Sequence, residues 1–116
     1  MVKKEQGIIK ENLRGGTGSA EIFHILTADE LMGHGKMYAK VVLKPHSSIG
    51  WHQHVGDTEP YYIMQGEGIF TDNDGSKTRV TAGDICTIAV GEFHSLENDT
   101  DNDLVIMALV VNEEVK

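Results

Sequence analysis

Cysteine is nearly absent from this 116-residue chain, where Cys86 stands alone. A single thiol excludes an intrachain disulfide and fits a reducing compartment. Proline is scarce as well, with two residues against thirteen glycines, which points to tight turns between short strands. Basic residues are few: ten lysines and arginines face eighteen acidic groups, for a formal net charge of −8. That balance argues against a nucleic-acid partner, which needs a basic surface. It leaves small anions open, because a cation or one or two local basic groups can reverse the local field. Long apolar runs are missing. The longest, Leu104 to Val111, is far too short to cross a bilayer as a helix, so no membrane partner is expected. The opening stretch MVKKEQGIIKENLRGG has no long apolar core and no small-residue cleavage site. No signal peptide is read there, and the expected location is the cytoplasm. At this length one domain is expected, with enough buried surface for a core without staples.

What is present reads mostly as strand. KMYAKVVLK (36–44) is rich in β-formers, and PYYIMQGEGIFTD (60–72) is a second run with Gly66 and Gly68 as bends or bulges. Asn73-Asp74-Gly75 marks a hairpin turn. TRVTAGDICTIAV (78–90) holds two short runs joined at Ala82-Gly83-Asp84, and LVIMALVV (104–111) reads as a fully buried strand. Short strands at regular spacing imply an antiparallel sandwich or barrel. One helix signal stands out in TADELMG. Thr27 and Glu30 have capping-box spacing and Gly33 can close the end, which predicts about one turn of helix near 28–32.

The stretch GWHQHVGDTEPYYIMQG (50–66) carries two histidines one residue apart. On a strand, alternate side chains share a face, so His52 and His54 can lean onto one ion. The pair alone is equally readable as an ordinary strand with polar faces. The wider pattern is more specific. Glu59 and Gly66 follow at fixed intervals, and GDICTIAVGEFHSLEN (83–98) places Gly83, Gly91, His94 and Asn98 in a second spaced set. Here the chain resembles the cupin superfamily, whose two motifs are G-x5-H-x-H-x3,4-E-x6-G and G-x5-P-x-G-x2-H-x3-N. Two positions depart: His46 stands where the first motif opens with glycine, and Ala89 where the second has proline. Both family residues shape turns, and neither is a ligand.

The resemblance covers roughly residues 36–111 and looks like that of compact single-domain bacterial members. It implies an all-β protein, a small double-stranded β-helix (jelly-roll) barrel with one short helix near the N-terminus. The single domain over 1–116 then divides into an N-terminal arm (1–35) and the barrel (36–111). The resemblance further implies a divalent metal inside the barrel, with His52, His54, Glu59 and His94 as ligands. Mixed nitrogen and oxygen ligation leaves manganese, iron, zinc, nickel and copper open. Homodimers are common in the family.

Two readings of function follow. The first is a metal-dependent enzyme acting on a small polar organic molecule, such as a carboxylate, by oxidation, decarboxylation or isomerisation at an open metal site. Some compact proteins of similar pattern are labelled oxalate-decarboxylase-like, but no residue identifies itself as the acid or base that a decarboxylase needs. The second is a non-catalytic cupin that binds or senses a small molecule. Three residues are weak candidates for contact with substrate. Tyr61 would fill the barrel or offer its hydroxyl, His46 would be solvated or line the mouth, and Lys40 would be solvated or face inward. Trp51 is read as a core or subunit-contact residue, Phe70 and Phe93 as core, and Met32, Met37, Met64 and Met107 as core gap-fillers. Asp99, Asp101 and Asp103 have the spacing of a calcium loop, but Leu104 and Val110 stand where that loop needs glycine and glutamate, so a solvated turn is expected. LRGGTG (13–18) lacks the lysine of a phosphate loop and reads as loop or arm.

Overall fold

A computed structural model describes residues 1–114. Eleven strands run β1 (Gly7–Glu11), β2 (Ser19–Leu26), β3 (Gly35–Leu43), β4 (Ser48–Gln53), β5 (Asp57–Thr58), β6 (Tyr61–Gln65), β7 (Glu67–Thr71), β8 (Lys77–Thr81), β9 (Ile85–Cys86), β10 (Phe93–Glu97) and β11 (Leu104–Asn112). They form two antiparallel sheets. The larger has the order β1-β2-β3-β11-β6-β9, with β5 also paired to β11; the smaller has the order β4-β10-β7-β8. The inner faces pack on each other. Leu43, Ile63, Leu104 and Ile106 from the larger sheet and Leu96 from the smaller are fully buried. Each such side chain contributes about 1.5–3 kcal/mol through the water it leaves.

The expected strands form where β-branched and aromatic residues cluster, and the breaks fall at turn residues. The 60–72 run splits into β6 and β7 at Gly66, whose φ is 85°. A Cβ there would stand 2.4 Å from the Asp103 carbonyl oxygen, so both the left-handed backbone and the close approach require glycine. The Asn73-Asp74-Gly75 turn joins β7 to β8, closed by Gly75 N–H donating to the Asp72 carbonyl at 2.9 Å.

Several expectations are corrected. The predicted helix at 28–32 is a set of turns, and the one helical element among the described residues is a 3-10 turn at Leu13–Gly15. The capping box itself forms: Glu30 N–H donates to Thr27 Oγ1 at 3.1 Å, and Thr27 N–H donates to the Glu30 carboxylate at 3.0 Å. The chain then turns left-handed at Met32 and Gly33, before a second turn of helix can repay the cost of nucleation. β11 is not buried on both faces. Leu104, Ile106, Ala108 and Val110 are buried, while Val105, Met107 and Leu109 are only partly covered. Met32 and Met64 are exposed and fill no core gap, whereas Met37 packs against the core. Phe70 is core, and Phe93 instead stacks on the half-exposed Trp51 with centroids 5.6 Å apart. Before residue 36, β2 pairs with β3 and delivers Ala20 and Ile22 to the core.

Candidate metal centre

Both sheets contribute to one polar cluster inside the barrel. The smaller sheet supplies His52 on β4 and His94 on β10, which face each other as register partners. His54 follows β4 directly and stays in register because its N–H donates to the Glu92 carbonyl and its carbonyl accepts from Gly91 N–H, at 3.0 and 2.7 Å. The larger sheet supplies Glu59 between β5 and β6. His54, Glu59 and His94 are buried.

The four donor atoms are nearly equidistant. His54 Nε2 lies 3.1 Å from each of His52 Nε2, His94 Nε2 and Glu59 Oε1. His94 Nε2 lies 3.2 Å from His52 Nε2 and 3.4 Å from Glu59 Oε1, and the remaining pair, His52 Nε2 to Glu59 Oε1, is 3.8 Å. A point equidistant from four atoms so spaced lies about 2.0 Å from each, the bond length of zinc to imidazole nitrogen.

The opposite edges of two imidazoles explain why the donor set calls for positive charge. His52 Nδ1–H donates to the Gly50 carbonyl at 2.6 Å, and His54 Nδ1–H donates to Asp57 Oδ1 at 2.7 Å. Both acceptors lack a proton, so each ring carries its hydrogen on Nδ1 and a neutral ring presents a lone pair at Nε2. Those lone pairs and a carboxylate oxygen converge on one point, which is repulsive until a cation occupies it. This is the outer-partner arrangement that fixes the tautomer of metal-binding histidines. His94 is held differently: its Nδ1 is buried without a partner, and the ring is stacked on Tyr61 at 5.0 Å and edged by Phe70 at 5.8 Å. A divalent cation is what this buried set could hold.

Electrostatics follow from the contacts. Burial pushes the Glu59 carboxyl up, but the three imidazoles of His52, His54 and His94 gathered around it outweigh burial and hold the group far below the usual carboxylate range. The hydrogen bond to Glu59 raises His54 against its burial, with Asp57 adding to the rise, and burial lowers His94. Asp57 is pushed up by burial and pulled down further by Lys36 and His54. Lys36 Nζ stands 2.5 Å from Asp57 Oδ2, so a chain of contacts runs Lys36, Asp57, His54.

The cluster lines a cavity of about 250 Å³. Apolar walls come from Ile22, Met37, Val41, Ile49 and Val110, and polar ones from Arg14, Lys36, Asp57 and Tyr61 beside His52, His54 and Glu59. Of the three weak candidates, Tyr61 is brought to the cluster: it is 1% exposed and its hydroxyl stands 3.4 Å from His94 Nε2. Burial, with the Glu59 charge, lifts that hydroxyl well above the usual phenol range. His46 lies outside the cavity, its Nε2 2.6 Å from Asp101. Lys40 also lies outside it, paired with Glu5 at 2.9 Å and over the Phe23 ring at 4.4 Å. Three polar cavity residues, Arg14, Lys36 and Asp57, escaped the sequence reading. Asp57 carried a usable signal, three residues past His54 in the loop before the glutamate. Arg14 carried none, because a turn far away in sequence brings it there.

The comparisons bear on the family and the fold. The model of the Cupin domain family matches residues 39–111. A curated protein of Thermotoga maritima, named oxalate-binding protein, is 41% identical over 100 residues, which are 86% of this chain and 82% of that protein. A crystal structure described as a predicted oxalate decarboxylase from Thermotoga maritima superposes with a TM-score of 0.92 at 37% identity, covering 97% of this chain and all of that one. A Cupin 2 conserved barrel domain protein from Salinispora arenicola, at 22% identity, shares the fold alone, with a TM-score of 0.68 over 80% of this chain and 76% of its own. A family match across most of the barrel, and relatives well above 30% identity over most of their length, lead to one conclusion: this chain belongs to the cupin family.

Proposed function

We propose that the protein holds one divalent metal ion through His52, His54, Glu59 and His94, and takes up a small carboxylate at the cavity side of that ion. The single observation that carries the reading is the convergence of three Nε2 atoms and Glu59 Oε1 with two of the rings locked as Nδ1–H tautomers. Bound there, the ion would supply Lewis acidity to a carboxylate or enolate oxygen. The chain's own groups hold and shield it. Asp57 and the Gly50 carbonyl orient two imidazoles, Tyr61 and Phe70 wedge the third, and the apolar walls exclude bulk water.

Binding is the better supported of the two functional readings. The carboxylates lining the cavity are Asp57 and Glu59, and both are engaged by histidines. The raised Tyr61 hydroxyl is a poor base at neutral pH. Among the described residues, no carboxylate free of a partner lines the cavity to move a proton, which general acid–base chemistry requires. The oxalate-binding relative supports oxalate as the first ligand to try. The test is metal analysis of protein purified without a metal-binding tag, then calorimetric titration with oxalate. One ion per chain, and oxalate heat only in the loaded form, is expected. Oxalate bound equally by stripped protein would sink the reading, and turnover of oxalate would restore the enzyme.

We also infer that two copies pair through the outer face of the larger sheet. Its support is the exposure there of Tyr62 and Ile85 beside the half-covered Met107 and Leu109, an apolar patch of the kind that marks interaction surfaces. Light scattering should return twice the chain mass; a monomer at micromolar concentration would refute it.

A further inference from the structure

The Leu13–Gly16 turn lies flush on β4, immediately upstream of His52. The approach is too close for side chains: a Cβ on Gly16 would stand 2.1 Å from the Ser48 carbonyl oxygen, and one on Gly50 would stand 2.3 Å from the Arg14 carbonyl oxygen. Ser48 N–H donates to the Thr17 carbonyl at 2.8 Å, Thr17 N–H donates to Ser48 Oγ at 2.9 Å, and Ser19 N–H donates to Ser47 Oγ at 3.0 Å. The turn is thus clamped to the strand that carries the histidines. Gly50 serves both sides of the junction, since its carbonyl also orients His52.

The clamp presents Arg14 in a conformation that side chains seldom adopt, with φ at 54°. Such strain in a non-glycine residue concentrates at functional sites. Arg14 lines the same cavity as the histidines. Lys36, the other cation on that cavity, is occupied by Asp57. Arg14 makes no ion pair among the described residues. Arg14 itself is exposed to solvent. In a protein of net charge −8, an uncommitted guanidinium at the cavity is the natural partner for an anion, and its planar fork matches a carboxylate.

We propose that Arg14 recognises the second carboxylate of a small dicarboxylate whose first carboxylate engages the metal. This rests on the metal-centred reading above, and makes Arg14 a specificity-determining residue for ligands with two anionic ends. The experiment titrates acetate, oxalate and malonate into metal-loaded wild type, Arg14→Ala and Arg14→Lys, with metal content and melting temperature recorded for each. Loss of charge-assisted hydrogen bonds should weaken oxalate and malonate by roughly 10- to 100-fold in Arg14→Ala. Acetate binding and metal content should be unchanged, and Arg14→Lys should fall between. A merely structural role would weaken acetate and the dicarboxylates alike. Loaded Arg14→Ala that binds dicarboxylates as wild type does, or loses acetate equally, overturns the role of Arg14 and leaves the metal reading standing. Wild type that loads no metal, or that binds none of the three anions when loaded, overturns the metal-centred reading and this inference with it.

Discussion

Two groups of metal-ligand residue types in this molecule behave in opposite ways. His52, His54, Glu59 and His94 span four decades of sequence number and meet with their donor atoms within 4.8 Å of one another. Asp99, Asp101 and Asp103 are close neighbours in sequence and disperse. Asp99 pairs with Arg79 at 2.5 Å, Asp101 with His46 at 2.6 Å, and Asp103 approaches Lys44 at 4.0 Å. The first set lies on inward faces of two facing sheets, where water is excluded and unpaired charge is costly. The second lies on a surface loop, where each carboxylate finds its own cation or water. Facing strands, not nearness along the chain, concentrate charge.

The largest test of that contrast removes a ligand. His54→Ala should abolish metal loading and the thermal stabilisation that comes with it. An ion present at a hundred times its Kd adds about 2.7 kcal/mol, roughly 10 °C for a domain of this size. Differential scanning with and without chelator reads the effect, and equal chelator sensitivity in variant and wild type would break the contrast. Asp57→Asn keeps every ligand but weakens the acceptor for His54 Nδ1–H. About a 10- to 100-fold loss of metal affinity is expected, read by competition with a metal indicator. Acid should also unload the centre, since protons compete with the ion for Nε2. The sign differs for the stripped protein. His54 is raised in the fold, so its own contribution to stability is full below the ordinary imidazole pKa and declines as pH rises through the raised value. Titrating metal between about pH 8 and pH 5 should show affinity falling steadily; a flat profile would argue against imidazole ligation.

Smaller effects belong to the surface. His46 holds φ at 55°, at the position where the cupin motif has glycine. His46→Gly should relieve the left-handed cost and stabilise by about 1 kcal/mol, measured by urea denaturation, with metal content unchanged. Asp101→Asn should leave metal loading untouched and the melting temperature within error of wild type. A loss of bound metal in that variant would show that the loop takes part in cation binding after all.

The contrast also explains what the sequence could reveal. Strand alternation made only the His52/His54 pair legible, the full quartet came from the resemblance to the cupin motifs, and the rejected calcium spacing failed for local reasons. The core strands were legible from their β-branched runs. β1 and β2 were not, since GIIKE is a short exposed edge and SAEIFHIL interrupts its apolar residues with Glu21 and His24. The Thr27–Glu30 capping box was read correctly as a local interaction and wrongly as a helix, because two left-handed residues end the turn at once. Arg14 was hidden because its placement depends on which strand the turn rests against, and Gly16 and Gly50 show that only once they are seen back to back.

The most direct measurement is a crystal structure of protein loaded with manganese or zinc, with anomalous scattering recorded at the metal edge. One strong peak is predicted, about 2.0–2.2 Å from Nε2 of His52, His54 and His94 and from a Glu59 oxygen. A peak at the 99–103 loop instead, or His94 turned away from the ion, would contradict the account.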